Sequence, residues 1–167
     1  MTKTVIFSHG KESGPNGTKI QLLSEVALRK GHTVRSIDYR KCKDAAARVG
    51  LLKEILEEYD AASVILVGSS MGGYVSLMAA HTYLPAAMFL MCPAAYLPGY
   101  ELPEPLRYPG NMEIIHGYED EIVPYEHSIR LSKDSGAVLT LLRADHRLSQ
   151  IHGQLKKRFE CFLSGVE

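Results

Sequence analysis

One junction constrains this chain more than any other. Residues 63–67, Ser-Val-Ile-Leu-Val, form a β-branched and apolar run that passes directly into Gly68-Ser69-Ser70-Met71-Gly72. The stretch that follows, to Tyr83, is apolar with few charges. A short β-branched run reads as a buried strand, and an apolar stretch of that length as a deeply buried helix. A strand that enters a helix through G-x-S-x-G makes a sharp, strained turn. The turn thrusts the serine side chain above the carboxyl edge of the sheet, and the residues two before and two after it must be small. Gly68 and Gly72 meet that condition. A glycine-rich turn that binds a phosphate, or nothing, is the competing reading, and the strand and helix on either side weigh against it.

The rest of the chain repeats the alternation. Strands are predicted at Val5–Phe7, His32–Tyr39, Ala86–Cys92, Met112–His116 and Val138–Leu142. A first helix is predicted from Thr18, read as an N-cap with Gln21 completing a capping box, to Gly31. Asp44 is predicted to cap a second helix with Val49, Leu52, Ile55, Leu56 and Tyr59 on one side. Further helices are expected over Tyr125–Lys133 and Arg147–Leu163, the last burying Leu148, Ile151, Leu155, Phe159 and Phe162. Strands apolar on both faces, alternating with helices, make a parallel sheet covered on both sides. The expected fold is therefore α/β: a three-layer α/β/α sandwich around a six-stranded, mostly parallel sheet, in a single domain over residues 1–167. A chain of 167 residues is long enough to bury a full core without staples. The one long irregular stretch, Pro93–Gly110, holds five of the eight prolines, and loops of that length are uncommon without a role.

Charge narrows the partners. Lysine plus arginine equals aspartate plus glutamate at 19 each, a balance that argues against nucleic acid or an anionic membrane surface as the main partner. The basic runs Arg40–Lys43 and Lys156–Arg158 read as solvated faces. Three cysteines (Cys42, Cys92, Cys161) fit no metal or redox spacing and read as reduced thiols. The apolar run near Met1 is too short for a signal segment, so a cytoplasmic location is expected. No cofactor is expected, and no metal, because His32, His81, His127 and His152 lack ligand spacing. A homodimer is compatible with these features.

A serine hydroxyl needs a base to take its proton. Asp120, after the fifth strand, and His146, after the sixth, both lie at carboxyl ends, where open α/β sheets place their sites. Ser70 is thus the expected nucleophile, His146 its base, and Asp120 the group that holds the imidazole in the right tautomer. Glu119 and Glu121 rival Asp120. Asp145 ranks lower, because neighbouring side chains usually diverge. The backbone amides of Met71 and Lys11 are expected to form an oxyanion hole. His9 reads as structural within its loop, the Lys11 and Glu12 side chains as solvated charges near the mouth, and Cys92 as a packed core thiol.

Together, His9-Gly10, Gly68-Ser69-Ser70-Met71-Gly72-Gly73, His116-Gly117 with Asp120 and Val123-Pro124, and Asp145-His146 resemble the α/β-hydrolase superfamily over essentially the whole chain. The loop Gly10–Pro15 and the stretch Ala144–Leu148 are similar to a group of small, capless bacterial hydrolases of the esterase type. The resemblance implies a minimal α/β-hydrolase fold without the two leading antiparallel strands, with Ser70, Asp120 and His146 as catalytic residues and Lys11 and Met71 as oxyanion donors. It implies a serine hydrolase that cleaves a small-molecule carboxylic ester or thioester through an acyl-serine intermediate. A ligand-binding or sensor protein that keeps the same residues with little turnover is the alternative, and a lyase or acyltransferase using them is a third.

Overall fold

The computed structural model describes residues 1–166. Six strands form one sheet: β1 (Thr4–Ser8), β2 (Thr33–Ile37), β3 (Val64–Ser69), β4 (Ala87–Met91), β5 (Met112–Gly117) and β6 (Val138–Leu142). Their order is β2-β1-β3-β4-β5-β6, and every neighbouring pair is parallel. The helices are α1 (Thr18–Arg29), α2 (Ala45–Leu56), α3 (Met71–Tyr83), α4 (Tyr125–Ser135) and α5 (His152–Ser164). This is the expected three-layer α/β-hydrolase fold.

Alternation along each strand sends side chains to two separate cores. Val5, Phe7, Ile65, Val67, Phe89 and Ile115 meet α1 and α5 on one face. Ile6, Leu66, Met88, Leu90 and Ile114 meet α2, α3 and α4 on the other. Full burial of each such side chain contributes about 1.5–3 kcal/mol, so both faces must be covered for the sheet to hold. Among the described residues, no helix is long and apolar enough to cross a membrane.

The chain winds outward from β1 to β2, then returns past β1 to start β3 and runs in the other direction. The carboxyl ends of β1 and β3 therefore flank a point where strand order reverses, the usual crevice of open α/β sheets.

Three local readings are corrected. Thr18 does not cap α1. Gly17 is the N-cap, without a side-chain bond, and its carbonyl accepts the Gln21 N–H, so Thr18 is already helical. Tyr59 lies beyond the end of α2, whose buried residues are Arg48, Leu52, Ile55 and Leu56. The last helix begins at His152, not Arg147. Leu148 takes a left-handed φ of 58° and a 3-10 turn spans Ser149–Ile151, so the apolar spacing of Leu148 and Ile151 belongs to a turn that buries the same residues. Other signals held. Asp44 accepts the Ala47 N–H at 2.8 Å, and α1 is closed after its Lys30 C-cap by Gly31 (φ 82°), with the His32 N–H reaching back to Ala27.

The segment 93–110 joins parallel neighbours β4 and β5 without a helix. Tyr96, Tyr100, Leu102, Leu106 and Tyr108 pack against the α2–α3–α4 core. It does the work of a crossover helix on that face, and its prolines explain why no helix forms there.

Candidate active site

Ser70 is the N-cap of α3, with φ 54° and ψ −120°. A serine in that region is strained by about 1–3 kcal/mol. The surroundings impose it. A methyl on Gly68 would sit 2.5 Å from the Gly72 carbonyl oxygen, and one on Gly72 would overlap the Ser8 carbonyl. β3, α3 and β1 thus meet backbone to backbone at the turn. The Ser70 N–H donates to Met91 O, and the Ser70 carbonyl accepts from Tyr74 and Ala94, so the strained residue is tied on both sides.

His146, in the loop after β6, lies with Nε2 3.0 Å from Ser70 Oγ and Nδ1 2.7 Å from Asp120 Oδ2. An ionised carboxylate only accepts, so Nδ1 carries a proton and Nε2 is left to accept the Ser70 O–H. Asp120 has no side-chain exposure, while His146 is 14% exposed. Burial pushes the Asp120 carboxyl up, but hydrogen bonds from His116, His146 and the N–H groups of Val123 and Ile122 outweigh it. The carboxyl is held well below the usual range. Oδ1 takes both backbone bonds at 2.8 Å, and Oδ2 takes both histidines.

His116 is a second histidine on Asp120. Its Nε2 lies 3.1 Å from Asp120 Oδ2 and 3.0 Å from Val123 O, two acceptors that require a proton there. Its Nδ1 accepts the Ser128 hydroxyl at 2.6 Å. An unbroken chain therefore runs Ser70–His146–Asp120–His116–Ser128. Sequence reasoning gave His116 no role of its own.

The rival acids stand elsewhere. Glu119 pairs with Arg143 at 2.8 Å, Glu121 is exposed, and Asp145 accepts the Ser149 N–H. Cys92, His116 and Asp120 offer ligand atoms within 4.8 Å of one another. This is the set that could hold a metal, but the His116 and Asp120 atoms are already engaged by the bonds above. Burial pushes the Cys92 thiol up to about 12. A neutral thiol is a poor nucleophile, and it is Ser70 that His146 Nε2 faces.

Of the two expected oxyanion donors, Met71 follows Ser70 in the chain and Lys11 follows Gly10. Met71 is the first residue of α3, so its N–H has no acceptor within the helix. Gly10 runs beside the serine, with a methyl on it falling 3.5 Å from Ser70 Cβ. Among the described residues, the N–H groups of Lys11 and Met71 donate to no backbone acceptor. His9 is buried. Its Nδ1 donates to Gly10 O at 2.7 Å and its Nε2 accepts the Tyr39 N–H at 2.9 Å, which fixes the neutral tautomer. Burial lowers its pKa in keeping with that state. Arg48, 1% exposed, reaches the same loop and was missed. Its signal was its position four residues before Leu52, on the buried side of α2.

A cavity of about 710 Å³ opens on the His146 side, lined by Tyr118, Glu119, Asp120, Glu121, Ile122, Asp145, His146 and Arg147. Tyr118 and Ile122 are exposed there, at 47% and 63%.

The model of an uncharacterised protein family, UPF0227, matches residues 4–102, the part from β1 through α3 and β4. A search of curated proteins gave no match. Among solved structures, the chain is similar to a Xanthomonas campestris pv. campestris protein assigned to the hydrolases of the α/β superfamily, with 29% identity, a TM-score of 0.85, and 97% of this chain and 98% of that one covered. It is also similar to Est1E from Butyrivibrio proteoclasticus (18% identity, TM-score 0.83, 98% and 87% covered). A serine hydrolase without a lid from Xanthomonas campestris is a further match (19% identity, TM-score 0.78, 98% and 83% covered).

Proposed function

Because the chain belongs to the uncharacterised protein family UPF0227, its site must speak for its activity, and we propose that it is a serine hydrolase of carboxylic esters or thioesters. The carrying observation is the line of contacts from Ser70 Oγ through His146 to Asp120, at 3.0 and 2.7 Å. The likeness to α/β-hydrolase structures supports the same class of chemistry.

In this reading Ser70 Oγ attacks the carbonyl carbon as its proton passes to His146 Nε2. The electron pair of the C=O bond moves to oxygen, and the N–H groups of Lys11 and Met71 receive the negative charge. Each such donor can contribute about 3 kcal/mol in the transition state. As the tetrahedral intermediate collapses, the bond to the alcohol or thiol breaks, and the leaving atom takes the proton from His146. Asp120 stays ionised and steadies the imidazolium. Water, losing a proton to His146, then attacks the acyl carbon; the bond from that carbon to Ser70 Oγ breaks, Oγ takes the proton back from His146, and the acid is released. His146 borders the 710 Å³ cavity, so the leaving group departs into it, against Tyr118 and Ile122. The segment 93–110 packs as a crossover, which leaves the cleft accessible. Short acyl groups, or esters displayed on a larger molecule, suit it. Ferulic acid is bound in a structure of Est1E, and small aromatic acid esters are included in the screen for that reason.

The experiment is labelling with a fluorophosphonate probe, comparing wild type with Ser70→Ala and His146→Ala, followed by an ester and thioester screen. Labelling of wild type at Ser70, lost in both variants, with turnover in the screen, is expected. A folded wild type that does not label overturns the reading. Labelling without turnover of any ester points instead to a ligand-binding protein.

A further inference from the structure

Arg48 is the only arginine fully inside the described molecule, and among the described residues no carboxylate lies within 4.0 Å of it. A buried cation without a counter-ion is costly, and a well-packed apolar side chain is usually at least as stable in its place. Stability alone therefore does not account for it. Its partners are backbone carbonyls. Nε donates to Cys42 O at 2.7 Å, and Nη1 donates to His9 O at 3.1 Å and Gly10 O at 3.3 Å. The guanidinium also lies over the Tyr39 ring, 5.2 Å from its centroid.

Two of those carbonyls belong to the residues just before Lys11. We propose that Arg48 is a positioning residue for the oxyanion hole: it fixes the Gly10–Lys11 peptide so that the Lys11 N–H faces the oxygen that becomes negative at Ser70, and it holds a permanent positive charge behind that peptide. The proposal rests on the serine-hydrolase reading.

The geometry runs through one peptide plane. The Gly10 carbonyl accepts from His9 Nδ1 at 2.7 Å, Arg48 Nη1 at 3.3 Å and, more weakly, Ser13 Oγ at 3.5 Å. Among the described residues the only cis peptide bond is Glu104–Pro105, so the Gly10–Lys11 bond is trans. In a trans peptide the C=O and N–H point in opposite directions. Donors that hold the carbonyl on one side therefore turn the Lys11 N–H to the other, where it has no backbone acceptor, one residue on from Gly10, which runs beside Ser70. Donation to a carbonyl also polarises its peptide and strengthens the N–H as a donor. A substrate carbonyl carries little charge and the tetrahedral oxyanion a full one, so the effect falls on kcat more than on KM.

A purely structural clamp between the His9–Lys11 loop and α2 would make the same contacts, so the test must separate the two. The kinetics of p-nitrophenyl acetate hydrolysis, the inhibition constant of an alkylboronic acid, and Tm are measured for wild type, Arg48→Met, Arg48→Lys and Leu52→Ala. The boronate forms a tetrahedral adduct on Ser70 and reports the oxyanion hole. Leu52, fully buried in the same helix, supplies a destabilised control. Removing an oxyanion donor costs about 100- to 1000-fold in kcat. Misplacing one is expected to lower kcat by about 10- to 100-fold in Arg48→Met, with KM within about threefold and boronate affinity reduced in step. Arg48→Lys keeps the charge but not the forked donor, and is expected to recover part of both. Leu52→Ala should lose Tm and keep kcat.

An Arg48→Met protein with wild-type kcat and boronate affinity overturns the proposal, as does a loss confined to KM or to Tm. If Arg48→Met does not fold, Arg48→Lys decides: a parallel fall in kcat and boronate affinity supports the role, and wild-type values of both overturn it. A wild type that neither hydrolyses the ester nor binds the boronate overturns the serine-hydrolase reading itself, a failure visible before any variant is made.

Discussion

At the ends of β1 and β3 the site is built from backbone, and at the ends of β5 and β6 it is built from side chains. On the first side, the strained turn at Ser70, the close approach of Gly72 to Ser8 and the Gly10–Lys11 peptide define the geometry. Arg48 and His9 act there by holding carbonyls. On the second side, Asp120 gathers four hydrogen bonds from His146, His116 and two backbone N–H groups, and Ser128 closes the chain. The difference teaches what each wall tolerates. A wall of backbone fails when a side chain gains an atom. A wall of side chains fails when a donor or acceptor changes, even if shape is kept.

The largest effect should come from the side-chain wall. His146→Ala removes the proposed base and is expected to lower kcat/KM for an ester by about 10⁴- to 10⁶-fold. Because the ring is partly exposed, Tm should move little. Parallel kinetics and thermal unfolding check both halves of that statement, and a loss of less than about tenfold would remove His146 from the mechanism.

Asp120→Asn keeps the shape and loses the charge. A fall of about 10⁴-fold in kcat is expected, as for a triad acid in the wrong hydrogen-bonding state. The variant also carries a pH signature. The native carboxyl lies below the unfolded value of about 3.9, so its contribution to stability is complete above about pH 4 and is lost as pH falls further. Urea unfolding of wild type should weaken steeply on acidification below about pH 4, and Asp120→Asn should start less stable at neutral pH and show a shallower decline. Equal slopes would mean that the bonds to Asp120 do not favour its ionised form.

The backbone wall is probed by Gly72→Ala. One methyl against the Ser8 carbonyl has no flexible neighbour to move, and overpacking of this kind costs about 1–3 kcal/mol or more. Here stability should fall and fluorophosphonate labelling should fall with it, because β1 and α3 are pushed apart. A variant with wild-type Tm and labelling would show that the turn is looser than its contacts.

The smallest effect is expected at His116. His116→Gln can still donate to Asp120 and should retain most activity. His116→Leu leaves the buried Ser128 hydroxyl without its partner, at about 1–3 kcal/mol, and should lower kcat by no more than about tenfold, since Asp120 keeps its other bonds. A loss equal to that of Asp120→Asn would promote His116 to an equal member of the chain.

The same contrast explains what was legible in the sequence. The sheet could be read because Val64–Val67 and Ala87–Met91 are apolar without interruption and Met112–Ile115 is broken only by Glu113, and G-x-S-x-G between strand and helix left little freedom for Ser70. Asp120 and His146 could be placed because strand ends in a parallel sheet converge on one edge. Arg48 could not be assigned a target. Its spacing with Leu52 marks it as buried, but the carbonyls of His9 and Gly10 that it holds carry no signature in residue type. His116 was hidden for a similar reason: a histidine at the end of a predicted strand carries no sign of its partner until Ser128, twelve residues on, is seen against its ring. The start of the last helix was misplaced because Leu148 and Ile151 repeat at helical spacing in a 3-10 turn that is not part of the α-helix.

The claim on which all of this depends is that acyl transfer passes through Ser70. The direct measurement is intact-protein and peptide mass spectrometry of samples quenched during p-nitrophenyl acetate turnover. The account predicts one acetyl group per chain, located on the peptide that contains Ser70 and absent from Ser70→Ala. An acetyl group on Cys92, or hydrolysis that continues in Ser70→Ala at the wild-type rate, would contradict it.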